Sequence, residues 1–335
     1  MKLVNQKAEL WQQGPTQDDM WDHIAKCTRV CYQSTPKNKE ESGEDFCKRT
    51  ILLNKHYGML EHGTVYLIIP YDEDHVLTCR MYEKNPYSKT KLVYDKCYIT
   101  TNYRVILENG REKDLDYWSE PTEFHEKRYT LSLITSIGIG RELCRHRKFS
   151  FAQESTRYCN YGKKEHMEFI LPYWANLNPG LYEIDAREGL MVGDGYIDGL
   201  GSQTKEGIFL CHLTECEDNY IALILEPLKA QEAREVLPLA LKSQLIMTGF
   251  ESDWNDFLDK RLKETTGKVH PDMKELAEQI GKLIPNYMLT IELTDEECLH
   301  LINSITWSPL SDKVYLWPVL RKLEDYVKGI QIDRQ

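Results

Sequence analysis

The stretch that constrains the fold most begins at Tyr129. Tyr129–Ile137 is a β-rich apolar run, Gly138 and Gly140 come next, and a helical segment then ends near Arg147. A strand of that composition is built for burial. Directly after it comes the most basic part of the chain. From Arg141 to Lys164 there are seven Lys/Arg and two Asp/Glu, a local net of +5. The whole chain carries −11, so the remainder carries −16. The fold must bury the strand and still deliver this cationic run to a surface. A basic island in an acidic protein points to a small anionic ligand more than to a polymer, the alternative being a solvated basic helix end. The overall charge argues against a general nucleic-acid binder.

Around this stretch the elements alternate irregularly. Asp18–Cys31 reads as a helix, and Ser42 is placed to cap another running toward Leu53. Thr64–Pro70, Lys91–Tyr94, Ile99–Leu107, Met167–Pro172 and Leu241–Thr248 read as strands, with a turn at Asn109–Gly110. Residues 177–202 hold six Gly and little periodicity, and read as a long loop. Gln203–Leu225, Ala230–Val236, Ser252–Glu264 and Pro271–Leu283 read as helices, with two more expected in the last 45 residues. Such a mixture favours an α+β fold, one mixed antiparallel-sheet and helix domain over 1–335. No apolar stretch is long enough to span a bilayer, and the first residues lack the apolar core of a signal peptide. A cytoplasmic chain with reduced thiols is the expectation.

The densest chemistry runs from Arg145 to Tyr158. Guanidinium groups grip phosphate oxygens in bidentate fashion. Ser155 can donate to phosphate, and Gln153 offers both donor and acceptor to a nucleobase edge. Glu142 lies three residues before Arg145, on roughly the same helix face. A purely structural ion-pair network remains the competing reading. Cys211, His212 and Cys216 are metal-ligand types, but they share one helix without a second ligand pair, so buried thiols are expected and no metal. No Gly-x-Gly-x-x-Gly opens a helix, so a Rossmann flavin site is not indicated.

Arg145-His146-Arg147 with Ser155 eight residues on, then Ser155-x-Arg157-Tyr158, closely resembles the signature of flavin-dependent thymidylate synthases. Other pieces occur in family order. His56-Tyr57-Gly58-Met59-Leu60-Glu61-His62 is similar to the family's His-x-x-x-Phe-Glu-His. Arg141-Glu142 stands where Arg-Gln is usual. Glu232-Ala233-Arg234 with Leu237-Pro238 resembles Glu-x-Ala-Arg…Leu-Pro, and Arg261 closes a late helix. The resemblance covers about 50–62 and 127–280. Ala152-Gln153 replaces Asn-Glu, Phe250-Glu251-Ser252 replaces an Asn-x-Arg flavin contact, and Asp256 replaces a later Asn. An inserted strand/loop region at about 71–126 and a helical C-terminal extension at about 284–335 complete the chain. Trp307, Tyr315 and Trp317 lie in that extension, where packing is the expected role.

The resemblance implies reductive methylation of dUMP to dTMP, with methylenetetrahydrofolate as carbon donor and NADPH-reduced FAD as hydride source. It implies a homotetramer with shared active sites. The flavin-free thymidylate synthases need a nucleophilic Cys in a Pro-Cys-His element, and here no Cys comes after a Pro. Arg261 is then the expected catalytic activator of the uracil. Glu142, Arg145, Gln153, Glu154, Ser155, Thr156, Arg157 and Arg234 are expected on dUMP. His56, Arg145, His146, Arg147, Gln153 and Asp256 are expected on FAD. Two rivals stand beside this reading: a related flavin enzyme that stops at a hydroxymethylated pyrimidine nucleotide, and a non-catalytic nucleotide or nucleic-acid binder.

Overall fold

The computed structural model describes residues 1–35, 40–184, 191–193, 204–285 and 287. Eleven strands are described: β1 (Lys2–Val4), β2 (Lys7–Trp11), β3 (Thr64–Pro70), β4 (Lys89–Val93), β5 (Lys96–Asn102), β6 (Arg128–Ser136), β7 (Ser150–Gln153), β8 (Glu168–Ile170), β9 (Gly180–Ile184), β10 (Met191–Gly193) and β11 (Lys242–Phe250). The α-helices are α1 (Gln17–Val30), α2 (Gly43–Cys47), α3 (Val76–Lys84), α4 (Tyr103–Glu108), α5 (Ile137–Leu143), α6 (Lys205–Leu225), α7 (Ala230–Ala233), α8 (Glu251–Leu262) and α9 (Pro271–Gly281). The class is α+β, as the irregular alternation predicts.

The sheet that positions the candidate site has the order β2-β6-β11-β7 and is antiparallel throughout. Its residues alternate between two buried faces. Leu131, Leu133, Leu245 and Met247 pack with Trp254 and Phe257 of α8 and with Leu276 and Ile280 of α9. Ala152 and Ile246 face the other way, against Cys27 and Val30 of α1. A second sheet, β3-β5-β4, packs Val65, Leu67 and Ile99 against Met20 and Ile24 of α1. The third, β10-β9-β1-β8, pairs β1 parallel to β8 and antiparallel to β9. It meets the first sheet at the Phe169–Leu241 bridge.

Helix starts obey their caps. Thr16 forms a capping box with Asp19 before α1, and Ser42 accepts from Asp45 N before α2. The structure departs from the sequence pattern in four places. The stretch 71–126, expected as strand and loop, holds the helix α3, which has no side-chain cap to mark its start. The strand expected over Ile99–Leu107 stops at Asn102, whose side chain accepts from Val105 N and starts α4. Asn in an apolar run acts there as a helix N-cap. Part of the loop expected over 177–202 is β9 and β10, paired with each other. The polar N-terminus forms β1 and β2, whose apolar residues are too few to show a period. The two late helices, Trp307, Tyr315 and Trp317 lie outside the described residues, as does nearly all of the 284–335 extension.

Candidate functional site

Ser136 ends β6 and caps α5, its Oγ accepting from Ile139 N at 3.1 Å. The helix ends at Leu143, so Arg145, His146 and Arg147 lie in the turn beyond it, not in its last turn as expected. The buried Phe149 pins that turn, its ring 4.6 Å from the Trp254 ring. Arg145 and Arg147 are exposed. Among the described residues no carboxylate lies within ion-pair distance of Arg141, Arg145, Arg147 or Arg157. Like charges this close gain from a bound anion.

β7 then runs along β11, with Gln153 opposite Leu245. Gln153 Nε2 donates to Ser243 Oγ at 3.2 Å. Glu154 is buried. Its Oε2 accepts from Gln244 N at 3.1 Å and lies 3.5 Å from Lys242 Nζ. Lys242 also reaches Glu168 at 3.7 Å. Glu154 therefore fixes the end of β7, and its Oε1 accepts no hydrogen bond among the described residues.

These residues border a cavity of ≈ 440 Å³. Arg141, Gln153, Glu154, Thr156 and Arg234 line it, with Leu237 and Pro238 on the apolar side. Arg234 stands on the turn after α7 and donates to Thr156 Oγ1 at 3.4 Å. A second cavity of ≈ 360 Å³ shares Arg141 and adds Glu142 and His270. Both fall in the size range of small-molecule sites. Arg141, which sequence reasoning did not assign, belongs to both. Its signal was its place one residue before Glu142.

The turn after β7 carries Ser155 and Arg157. Ser155 N donates to Cys31 O at 3.0 Å, Ser155 Oγ accepts from Arg157 N at 3.3 Å, and the Arg157 guanidinium lies 5.3 Å from the Tyr158 ring. Neither lines the cavity.

A separate cluster joins the triplet to α8. Arg261 donates from Nε and Nη2 to His146 Nε2, at 3.1 and 2.8 Å. Burial, with Arg261 and Lys260 nearby, pushes the imidazole down to about 4, so it is neutral and accepts. Its ring packs edge-on against Phe257 at 4.8 Å. Asp256 pairs with Lys260 at 2.7 Å and Lys148 at 3.8 Å, and its carboxyl is held below the usual range by the Lys260 bond. Arg261, His146 and Asp256 do not line the Arg234 cavity. His56 stands exposed at the head of the helical turn Tyr57–His62.

Residues from the 71–126 stretch contact positions 250–252. Ser252 donates its N–H and its hydroxyl to Glu126, while Lys89 of β4 lies 5.6 Å from the Phe250 ring. Among the described residues, no three His, Cys, Asp or Glu side chains gather as a metal site, and no helix is long and apolar enough to cross a membrane. Cys216 Sγ lies 3.5 Å from His212 Nε2, one helical turn away.

Residues 112–288 match the family model described as thymidylate synthase complementing protein. The chain is 31% identical over 152 residues to a flavin-dependent thymidylate synthase of Corynebacterium aurimucosum, covering 44% of this chain and 54% of that one. It is 34% identical over 134 residues to the Corynebacterium efficiens enzyme, covering 38% and 48%. A probable flavin-dependent thymidylate synthase of Paramecium bursaria Chlorella virus 1 is 24% identical over 151 residues, covering 45% and 64%. The chain thus spans about half to just under two thirds of the length of these relatives. Among solved structures, the UMP/dUMP methylase PolB of Streptomyces cacaoi with 5-Br dUMP aligns at TM-score 0.39 and 16% identity, over 84% of this chain and 91% of that one. Thymidylate Synthase X of Helicobacter pylori with FAD and dUMP aligns at 0.35 and 15%, over 84% and 94%. With its model matched over more than half of the sequence, the chain belongs to the family of thymidylate synthase complementing proteins, the flavin-dependent thymidylate synthases.

Proposed function

We propose that the protein methylates dUMP to dTMP, with methylenetetrahydrofolate as carbon donor, FAD as redox cofactor and NADPH as reductant, in the cytosol. The observation that carries this reading is the gathering of Arg141, Gln153, Thr156 and Arg234 around one cavity, with Arg261 held on His146 outside its lining. In the reading, Arg234, Thr156, Ser155 and Arg157 take the nucleotide phosphate and sugar, with Glu142 assisting. Gln153 addresses the pyrimidine edge, and Arg145 reaches both the nucleotide and the flavin.

The residues present fit FAD. Arg145 and Arg147 are exposed cations without ion-pair partners among the described residues, suited to a pyrophosphate, and His146 is a neutral ring beside them. His56 and Gln153 complete the flavin side in this reading. Asp256 is already engaged by two lysines, so its share is the smallest. When bound, reduced flavin supplies the hydride that completes the methyl group. The chain itself has to hold dUMP in line and stabilise the anionic uracil. With no nucleophilic Cys in this reading, that falls to the Arg261 guanidinium, directed at developing charge near N3 and O2.

The residues on dUMP are divided within one chain between the Arg234 cavity and the Arg261–His146 pair. A homotetramer whose sites are completed by a neighbouring copy would unite them. Exposed Ile208, Ile221 and Leu225 of α6, 59%, 39% and 79% accessible, supply apolar surface for such contacts. The test is incubation with dUMP, methylenetetrahydrofolate, FAD and NADPH, with the nucleotide product identified by mass. dTMP supports the reading. A hydroxymethylated nucleotide supports the rival flavin enzyme, and unchanged dUMP under saturating cofactors overturns both.

A further inference from the structure

A cavity of ≈ 330 Å³ lies between the end of β2, the start of β6 and the segment around Trp118, and it shares no lining residue with the nucleotide cavity. Four aromatic residues from four different segments line it: Trp11, Tyr66, Trp118 and Tyr129. None of these rings packs on another of the four among the described residues. Trp118 is held in place by its Nε1–H, which donates to Pro15 O at 2.8 Å.

Arg128 also lines this cavity, and its direct hydrogen bonds go to neutral groups. Nη1 donates to Thr64 Oγ1 at 3.2 Å and Nη2 to Glu61 O at 3.0 Å, both neutral acceptors. Nε is buried without a partner, and no carboxylate among the described residues lies within ion-pair distance. The ring of Phe250 lies 5.4 Å away, and Tyr66, Glu61 and Asp253 favour the charge from beyond ion-pair distance. Burial lowers the guanidinium pKa to about 10, against the opposing pull of Tyr66, Glu61 and Asp253. A buried cation of this kind is costly unless something anionic completes it. The other charged residues of the wall, exposed Glu120 and Lys127, cancel.

We propose that this cavity is a second ligand site, for a small planar aromatic carboxylate. The rings supply flat apolar contact for one or two fused rings, and Arg128 supplies the charge. The volume is at the lower end for small-molecule sites, which excludes a whole dinucleotide. The site stands independently of the methyl-transfer reading.

The probe is 2-naphthoate, titrated calorimetrically into the full chain, with 2-naphthamide as the neutral analogue of the same shape. Saturable naphthoate binding is expected, about tenfold or more tighter than naphthamide, and undiminished by saturating dUMP. Arg128→Gln should weaken it about tenfold. Trp118→Leu, at a half-buried ring, should weaken it as well and carries the test if Arg128→Gln does not fold. No naphthoate binding, equal affinity for the amide, competition by dUMP, or unchanged affinity in either folded variant overturns the proposal.

Discussion

Arg261 presents two N–H groups to one imidazole nitrogen, so His146 holds the guanidinium in a fixed plane without neutralising it. A charge kept in place and left unpaired can act on developing charge in a ring, where stabilisation is worth most at the transition state. Arg261→Ala should lower turnover for methyl transfer about 100- to 1000-fold at saturating dUMP. Arg261→Lys should also be impaired, because it keeps charge but loses the planar fork. Arg234→Ala should instead raise the KM for dUMP more than it lowers kcat. Steady-state kinetics on the three variants decide this, and near-normal turnover of Arg261→Ala removes the activating role. At this scale the density of arginines in the sequence pointed to an anion, and the structure brings Gln153, Glu154, Thr156 and Arg234 to one cavity while Arg145, Arg147, Ser155 and Arg157 do not line it. Arg141 and Lys242 were not legible in the sequence. Each is an ordinary charged residue whose meaning comes from tertiary neighbours, the cavity wall for one and buried Glu154 for the other.

Strands and helices carry the next level of constraint. β11 extends to Phe250, beyond the Thr248 at which the apolar run ends, because Gly249 continues it. A Cβ at Gly249 would collide with the Phe149 ring, so the glycine marks a close approach and not a break. Gly249→Ala should destabilise by about 1–3 kcal/mol, read by denaturant unfolding, through displacement of Phe149 and the triplet turn it pins. The same sheet carries a buried polar relay. His23 Nε2 lies 3.1 Å from Thr130 Oγ1, Thr130 Oγ1 lies 2.8 Å from Thr248 Oγ1, and Thr248 Oγ1 lies 2.8 Å from His62 Nδ1. Burial lowers the two histidines to about 4 and about 3, with nearby Arg128 adding to it. Both are neutral in the folded chain and titrate near 6.5 when unfolded, so the unfolded state binds more protons between these values. Their contribution to stability is fully present above pH 6.5 and is lost as pH falls through the folded values. The Tm should drop between pH 7 and 5, and His62→Gln should flatten that drop. A Tm independent of pH in this window would contradict the relay's neutrality. Helices such as α1 and α9 were readable from caps and period, whereas α3 and α4 were not, and nor were β1 and β9, since short strands take their identity from the partner they pair with.

For the whole molecule, charge and composition were informative about class. The −11 chain with its +5 island argued against a nucleic-acid binder and directed attention to one surface. They said nothing of where a second chain sits. The residues proposed to meet dUMP split within one chain, Arg234 and Gln153 on one cavity and Arg261 with His146 elsewhere, and this split is why assembly is part of the proposed function. Glu126 and Lys89 contact Ser252 and Phe250 at the start of α8, and Glu126 falls within the 112–288 family match, so the expected insertion over 71–126 is not wholly outside the family pattern. The most direct measurement is subunit complementation. A Ser155→Ala/Arg157→Ala chain and an Arg261→Ala chain are each assayed for dTMP formation, then co-assembled and assayed again, beside the wild type. dTMP is expected from the wild type, little from either variant alone, and recovered activity in the verified hybrids. A wild type that forms no dTMP, or hybrids no more active than their parents, would contradict the proposed function.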